Sequence, residues 1–393
     1  MKAKSIETIN EFCTGCGACE VICPKHAIKM ALNKDGFLIP LLDHEKCVNC
    51  GICLKKCPAR SIYDKIKIEN GYYYYLDDYK KLIKSSSGGL GTALAEKVVE
   101  EGGIVYGVSY GNDYRRIEYC RIEDKNELIR IVGSKYSESD VIDYRALLND
   151  LETGRRVLVF GLPCLIAGVK AVVGNNVQNL ILIELMCLGK SPIILYEKFI
   201  KELEKKYDSK VKNVNMRYKK KNWIVSWLKV DFESGKTYQD TLSSEPFGKL
   251  SHVVFRPSCY TCNFKIKNAP GDIVIGDFWG AEFLDKNMQN KYGMSAALIM
   301  NKKGQQLLKD LPGTLGLVDK KLILKTNGAI SNSCVKPINY LKLVKLINSD
   351  VPLVNIFNEE YGKIKIIMWK MRFRVKTFLP VNVINIIKRF IHR

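Results

Sequence analysis

Eight of the chain's fourteen cysteines stand in two copies of one run. Cys13, Cys16, Cys19 and Cys23 precede Pro24, and Cys47, Cys50, Cys53 and Cys57 precede Pro58. Both runs read C-x2-C-x2-C-x3-C-P, the spacing that holds a [4Fe–4S] cubane, which carries one electron at a time. Four thiolates must converge from a short loop, and Gly15, Gly17, Ala18 and Gly51 let the backbone wrap closely. In paired runs the fourth cysteine ligates the other cluster. That rule assigns Cys13, Cys16, Cys19 and Cys57 to a first cluster, and Cys47, Cys50, Cys53 and Cys23 to a second. A zinc site prefers two separated pairs. A disulfide framework belongs to oxidising compartments. Neither fits this spacing.

Six cysteines lie outside the runs. Cys259 and Cys262 form a C-x2-C pair after Pro257. Cys164 follows a strand-like run in Gly161-Leu162-Pro163-Cys164, and Cys187 ends another in Met186-Cys187-Leu188-Gly189. Both positions are carboxyl ends of strands, where α/β sheets place ligands. The four could ligate a third cubane, or Cys164 and Cys187 could be ordinary core cysteines. Cys120 and Cys334 belong to no pattern and read as core packing.

The elements that must position these residues follow from periodicity. Residues 1–66 form a cluster-bearing module, with Asn33-Lys34-Asp35-Gly36 as a hairpin turn between Ala27–Leu32 and Phe37–Pro40. Cysteine run, short helix and hairpin strand occur, and then repeat. Residues 67–84 read as a connector with Tyr72–Tyr75 in an edge strand. From Ser85 a small-residue loop leads into a helix over Thr92–Glu101, ended by Gly102-Gly103. Strand Ile104–Ser109, helix 140–152, strand Arg156–Phe160, helix 164–172 and strand Leu180–Met186 alternate, which predicts a parallel or mixed sheet. Trp223–Phe232 turns at Glu233–Lys236 and returns from Thr237 as a hairpin on that α/β core. Ile273–Gly276 and Ala296–Asn301 are further strands. In the tail, 335–393, residues 369–376 alternate apolar and basic, a strand period. Beyond Pro380, Val383, Ile384, Ile387, Phe390 and Ile391 share a helical face opposite Asn385, Lys388, Arg389 and His392.

Composition bounds the rest. A chain of 393 residues that is 47% hydrophobic buries a substantial core and is not globally disordered. Residues 1–12 contain polar and charged positions throughout, which is not a secretory signal. No stretch is long and apolar enough to span a bilayer. Unpaired cysteines in such runs suit a reducing cytoplasm. The net charge is +21, and residues 362–393 hold nine Lys or Arg with no Asp or Glu. Such a basic amphipathic helix can lie on the inner face of a membrane or pack on a partner. Lysines elsewhere, Lys219–Lys221 among them, read as a solvated face. No interleaved basic and aromatic motif points to nucleic acid, so no nucleic-acid partner is expected.

Several short motifs occur in a telling order: Ser85–Gly89, Gly133-Ser134-Lys135-Tyr136-Ser137, Gly161–Cys164, Cys259-x-x-Cys262, Gly271-Asp272-Ile273-x-Ile275-Gly276-Asp277-Phe278-Trp279-Gly280 and Tyr292-Gly293-Met294-Ser295. In that order they resemble the family of coenzyme F420 hydrogenase/dehydrogenase beta subunits over roughly residues 1–335, with a ferredoxin-type module ahead of the family core. The resemblance implies an α+β or α/β fold: a small bicluster ferredoxin-like domain followed by a mixed α/β FAD-binding core. It divides the chain into 1–66 (ferredoxin-type), 67–84 (connector), 85–160 and 161–334 (the two parts of the core) and 335–393 (basic extension). It implies FAD contacts from Ser85, Ser86, Ser87, Gly88 and Gly89, where small residues and a following helix N-terminus favour phosphate. Lys135, Tyr136 and Ser137 would stand near the pyrophosphate, and Asp277 and Trp279 near a third cluster of Cys164, Cys187, Cys259 and Cys262. Read without the family, the Ser85 loop is a plain turn into a helix, Lys135 a surface lysine, and Gly276–Gly280 a turn with a half-buried Trp. Two departures bear on the pocket: Leu188 stands where members often carry His, and Leu162 where Gly-Thr-Pro-Cys is common.

The function implied is an iron–sulfur flavoprotein oxidoreductase. Hydride passes between coenzyme F420, or a similar two-electron carrier, and FAD, which relays single electrons through the clusters. No individual catalytic residue is assigned. The competing reading is an electron-transfer protein without its own substrate, docked to a catalytic redox partner. Bacterial members of the family occur in organisms with no obvious use for coenzyme F420, some near surface-polysaccharide functions, which leaves the electron partner open.

Overall fold

The computed structural model describes residues 5–61, 67–174 and 177–391. The expected second hairpin strand after Cys57 falls partly on residues 62–66, and His392 on the last two residues, outside the described part. The side chains of residues 388–391 also lie outside it.

The amino-terminal hairpin pairs β1 (Ile28–Leu32) with β2 (Leu38–Leu42) antiparallel. Its turn is closed by Asn33, whose side-chain oxygen accepts from the Asp35 and Phe37 N–H groups, and by Gly36 at φ +79°. Next come β3 (Asn70–Tyr75), β4 (Ile104–Tyr110), β5 (Ile117–Ile122), β6 (Val157–Gly161) and β7 (Leu180–Leu185). They are followed by β8 (Val211–Tyr218), β9 (Trp227–Phe232), β10 (Thr237–Thr241), β11 (Ile273–Asp277), β12 (Ser295–Ile299) and β13 (Thr314–Val318). Eight of these strands form one mixed sheet in the order β13-β3-β12-β11-β7-β6-β4-β5. Its middle, β4, β6, β7 and β11, is parallel.

Strand side chains alternate between faces, and both faces of this sheet are covered. Leu158, Ile181, Ile183 and Ile273 pack with Leu94 and Val98 of the helix Leu90–Glu100. Val157, Val159, Leu180 and Leu182 pack on the other face with Tyr144 and Leu147 of helix Tyr144–Glu152, and with Leu165, Ile166 and Val169 of helix Pro163–Val173. Helices on both sides explain why these strands read as continuous apolar runs.

Four expectations need correction. Tyr72–Tyr75 is not an edge strand, because β3 is bonded to β12 on one side and β13 on the other. Its tyrosines serve both faces, with Tyr74 fully buried in one core and Tyr73 in another. The hairpin Trp227–Thr241 does not join the main sheet; it pairs with β8 in a separate three-stranded sheet. Residues 369–376 are not a strand but part of a helix over Lys363–Phe378. Ile366 and Thr377 are buried there, with Trp369, Lys370 and Phe373 half-buried, a three-and-four spacing that the apolar–basic alternation concealed. Finally, Lys219 is buried rather than solvated.

Candidate cluster sites and cofactor cradle

Each cysteine run turns on glycines with left-handed backbone. Gly17 (φ +76°) and Gly51 (φ +71°) precede the short helices Ala18–Ile22 and Ile52–Lys55. A side chain at Gly17 would meet Val141 at 2.3 Å, so only glycine fits. The structure gathers Cys13, Cys16, Cys19 and Cys57 into a first group: the Cys19 thiol lies within electrostatic reach of Cys16, Cys13 and Cys57. Cys23, Cys47, Cys50 and Cys53 line one cavity and form a second group. Burial pushes the Cys16 thiol up to about 12, and raises Cys19, Cys53 and Cys57 too. Thiols so placed are poor free thiolates, and metal binding would have to displace their protons. The second group reaches the surface at Cys50, which is exposed. Among the described residues, no three His, Cys, Asp or Glu side chains converge on a point fit for one metal ion. Thiols around a cubane stand farther apart than those around a single ion.

A third group forms where the main sheet ends. Cys164 starts the helix after β6, Cys187 follows β7, and Cys259 and Cys262 lie in and just after the turn Pro257–Cys259. Burial raises the Cys187 thiol, and Cys259, Cys164 and Cys262 add to the effect. Burial likewise pushes Cys259 up to about 12, with Cys164 the next cause. The Lys190 N–H donates to Cys259 Sγ at 3.4 Å, and the Phe264 N–H to Cys262 Sγ at 3.4 Å. Cys334 sits beside this group, its thiol donating to the Cys259 carbonyl at 3.6 Å, whereas Cys120 donates to Gly107 O between β4 and β5.

The first and third groups abut. Gly168 of helix Pro163–Val173 packs on Cys16; an added Cβ would stand 2.9 Å from the Cys16 Cβ. Ser258 Oγ donates to the Cys13 carbonyl at 2.9 Å, one residue before Cys259. A buried ion triad secures this joint. Glu138 pairs with Lys190 and with Arg256, at 2.9 and 2.8 Å. Lys190 donates onward to Thr14 O, and Arg256 to the carbonyls of Cys13 and Leu38. No sequence pattern singles out any of the three.

The residues expected to hold a nucleotide are only partly free to do so. Gly88 lies so close to Tyr74 O that a Cβ there would be 2.1 Å away, and Gly89 is left-handed at φ +86°. Ser85 Oγ donates to Lys81 O at 2.9 Å, while Ser87 shares a hydrogen bond with Ser295 Oγ at 2.9 Å. The Gly88 N–H at the helix entry also donates to Ser295 Oγ. Ser86 alone of the three serines is half-exposed, and it meets Ser134 Oγ at 2.9 Å. Lys135 points into its own turn, donating to the carbonyls of Arg130 and Val132 at 3.1 Å, and burial pushes its pKa down to about 7. Ser137 Oγ donates to Glu138 O at 3.3 Å.

What does converge is a cradle around Arg217, a residue that sequence reasoning missed. Arg217 pairs with Asp277 at 2.8 Å, donates to Ser86 O and hydrogen-bonds the Tyr136 side chain. Its guanidinium lies 5.7 Å from the Trp279 ring, which stacks on Trp223 at 5.2 Å. Beneath them Lys219 donates to Leu82 O and Ser87 O, both at 2.6 Å, and burial followed by Arg217 pushes its pKa down to about 7. The cradle touches the third cysteine group: a Cβ on Gly276, next to Asp277, would meet the sulfur of Met186, next to Cys187, at 2.6 Å. A cation, indoles and hydroxyls are the side-chain types that would hold a phosphorylated aromatic nucleotide, though here Arg217 is paired with Asp277 and the indoles stack on each other.

Residues 154–315 match the family model for the carboxyl-terminal part of coenzyme F420 hydrogenase/dehydrogenase beta subunits, and residues 12–61 match the 4Fe-4S dicluster domain. The chain thus carries a domain of the coenzyme F420 hydrogenase/dehydrogenase beta-subunit type, with a ferredoxin-type dicluster domain ahead of it. It is 24% identical over 350 residues to a component of the F(420)H(2) dehydrogenase of Methanosarcina mazei, covering 84% of this chain and 93% of that protein. It is also similar to a chain of the xenon-derivatised F420-reducing [NiFe] hydrogenase complex from Methanosarcina barkeri, with a TM-score of 0.45 and 18% identity. That match covers 77% of this chain and 95% of the other. The dicluster match contains both cysteine runs. The core match contains Cys164, Cys187, Arg217, Cys259, Cys262, Asp277 and Trp279, and Ser85–Ser137 lies between the two. The chain is an iron–sulfur protein of the electron-transferring, oxidoreductase-associated type.

Proposed function

We propose that this chain is an iron–sulfur flavoprotein oxidoreductase that relays electrons between a two-electron carrier and a redox protein partner. Its domains on this reading are the ferredoxin-type module 1–66, the connector 67–84, the two-part core 85–160 and 161–334, and the extension 335–393. Bound FAD would exchange hydride with coenzyme F420 or a similar carrier and give up the pair singly. Ser86, Tyr136, Ser137, Asp277 and Trp279 would hold it together with Arg217, while Ser85, Ser87, Gly88, Gly89 and Lys135 shape the loops around it. Cys13, Cys16, Cys19 and Cys57 would hold one [4Fe–4S] cluster, Cys23, Cys47, Cys50 and Cys53 a second, and Cys164, Cys187, Cys259 and Cys262 a third.

One observation carries the reading: each of the three cysteine groups adjoins the next, and the last adjoins the cradle. Exposed Cys50 begins it. The second group meets the first where Cys53 lies in reach of Cys19. The first meets the third across Gly168 and Ser258, and the third meets the cradle across Met186 and Gly276. A partner docking at Cys50 would exchange electrons with the cradle through all three. The chain would work in the cytoplasm, with the basic extension as its peripheral contact with the inner membrane face.

Anaerobic purification and cofactor extraction test this. About twelve irons from three four-iron clusters, and one FAD per chain, are expected. A reconstituted protein without any flavin would remove the hydride step. The commitment of Ser85, Ser87 and Lys135 to internal bonds favours a second reading, an electron-transfer protein whose partner does the two-electron chemistry. Turnover of the isolated chain with reduced F420 and an artificial acceptor would discard it.

A further inference from the structure

The helix Lys363–Phe378 has two apolar faces, and only one of them is covered. The covered face is pinned at its end. Asn222 Nδ2 donates to Thr377 O at 3.1 Å, and Trp227 Nε1 donates to Thr377 Oγ1 at 3.0 Å. Earlier on the same helix Lys370 pairs with Asp240 at 2.9 Å. The opposite face carries Ile364, Ile367, Met368, Met371, Val375 and Phe378, between 57% and 78% exposed. Their spacing of three, one, three, four and three residues is a helical stripe. The next helix, Val381–Ile391, repeats the arrangement. Ile384 and Asn385 are buried, with Asn385 Nδ2 donating to Gln289 Oε1 at 2.7 Å, while Val383, Ile386 and Ile387 are exposed.

Charge identifies what covers the stripe. Lys363, Lys365, Arg372 and Arg374 are exposed on the first helix, and residues 362–393 contain no acidic residue. Neither helix is long and apolar enough to cross a bilayer. A long apolar stripe among charges of one sign suits a surface that is apolar beneath a polyanionic layer, whereas a protein partner is ordinarily matched by charges of both signs. We propose that the exposed faces of Lys363–Phe378 and Val381–Ile391 lie in the headgroup layer of an anionic lipid bilayer, as an in-plane anchor. The inference rests on the peripheral contact in the proposed function and is independent of flavin and of the third cluster. Asn222 adjoins Trp223, whose ring stacks on Trp279, so the anchor and the cradle share one short segment.

The test is co-sedimentation of the full anaerobic chain with vesicles of phosphatidylcholine alone, and of phosphatidylcholine mixed with phosphatidylglycerol. Binding to the mixed vesicles only, weakened by salt, is expected. Arg372→Gln with Arg374→Gln should weaken it about thirtyfold at low salt. Met371→Ser with Val375→Ser should weaken it about tenfold or more at any salt. These positions are exposed, and an unchanged visible spectrum and circular dichroism would check the fold. Wild type that ignores both vesicle types, or variants that bind as wild type does, would overturn the anchor. So would a self-association in solution that the Met371/Val375 variant abolishes while vesicle binding is absent. Iron and flavin counts on the same samples separate this outcome from failure of the redox reading.

Discussion

The ferredoxin-type module and the third cysteine group bring cysteines together in opposite ways. The module writes each ligand run within eleven residues, Cys13–Cys23 and Cys47–Cys57, and shapes it with local backbone at Gly15, Gly17 and Gly51. The third group draws Cys164, Cys187, Cys259 and Cys262 from three stretches of chain, the first two following β6 and β7 and the last two in and just after the turn Pro257–Cys259. The cradle is more dispersed still: Ser86, Tyr136, Arg217, Asp277 and Trp279 meet from widely separated stretches. A site encoded in one run declares its chemistry in the sequence. A group assembled by a sheet declares less, because only the Cys259–Cys262 pair has a spacing to display.

The largest test of that contrast is iron content. Cys187→Ser should lower iron from about twelve to about eight atoms per chain and leave the paramagnetic signals of the other two clusters unchanged. Unchanged iron would mean that the dispersed cysteines only pack the core, and the comparison would break. Cys57→Ser should abolish the same signal as Cys16→Ser, not the one lost in Cys50→Ser, if the runs exchange their fourth ligands. Next comes the joint between the two kinds of site. Glu138→Ala leaves Lys190 and Arg256 buried without their anion, which should cost about 3–5 kcal/mol. Urea unfolding followed through the cluster absorbance would read it, and a loss below about 1 kcal/mol would sink the claim of a structural joint.

A pH titration sharpens the cradle side. Lys219 is held near neutrality by burial, below the ordinary lysine range. Above about pH 7 the folded chain has released that proton while the unfolded chain still binds it, so Lys219 makes stability rise with pH up to its unfolded pKa. Lys135, pushed down in the same way, adds to the slope. Lys219→Met should flatten the increase in urea midpoint across that window, and an unaltered slope would argue against a buried, titrating Lys219. The smallest effect is expected at Ser258. Ser258→Ala removes one hydrogen bond to the Cys13 carbonyl, worth about 1 kcal/mol. Pre-steady-state reduction of the amino-terminal clusters should slow with cofactor content unchanged.

What can be read from the sequence follows from how local each feature is. The hairpin at Asn33–Gly36 and the alternation from Ile104 to Leu185 are legible because turn chemistry and the succession of strands and helices are properties of neighbours. The insertion of β3 between β12 and β13 is not, since four consecutive tyrosines display no inside and outside. Residues 369–376 read falsely as a strand because basic side chains lie beside the apolar ones at every second position, hiding the three-and-four spacing of the covered face of Lys363–Phe378. Arg217 and Lys219 are hidden for a related reason. In a lysine-rich stretch, a buried cation looks like its solvated neighbours until the carboxylate and carbonyls that receive it come from elsewhere in the chain.

The bonds from Lys190 and Arg256 to the carbonyls of Cys13, Thr14 and Leu38 have a mechanical consequence. A ferredoxin on a tether can swing between donor and acceptor, loading at one station and discharging at another. This one is soldered in place, so on the proposed relay every hop inside the polypeptide would have a fixed length, and all the diffusion would fall to the partner that visits Cys50.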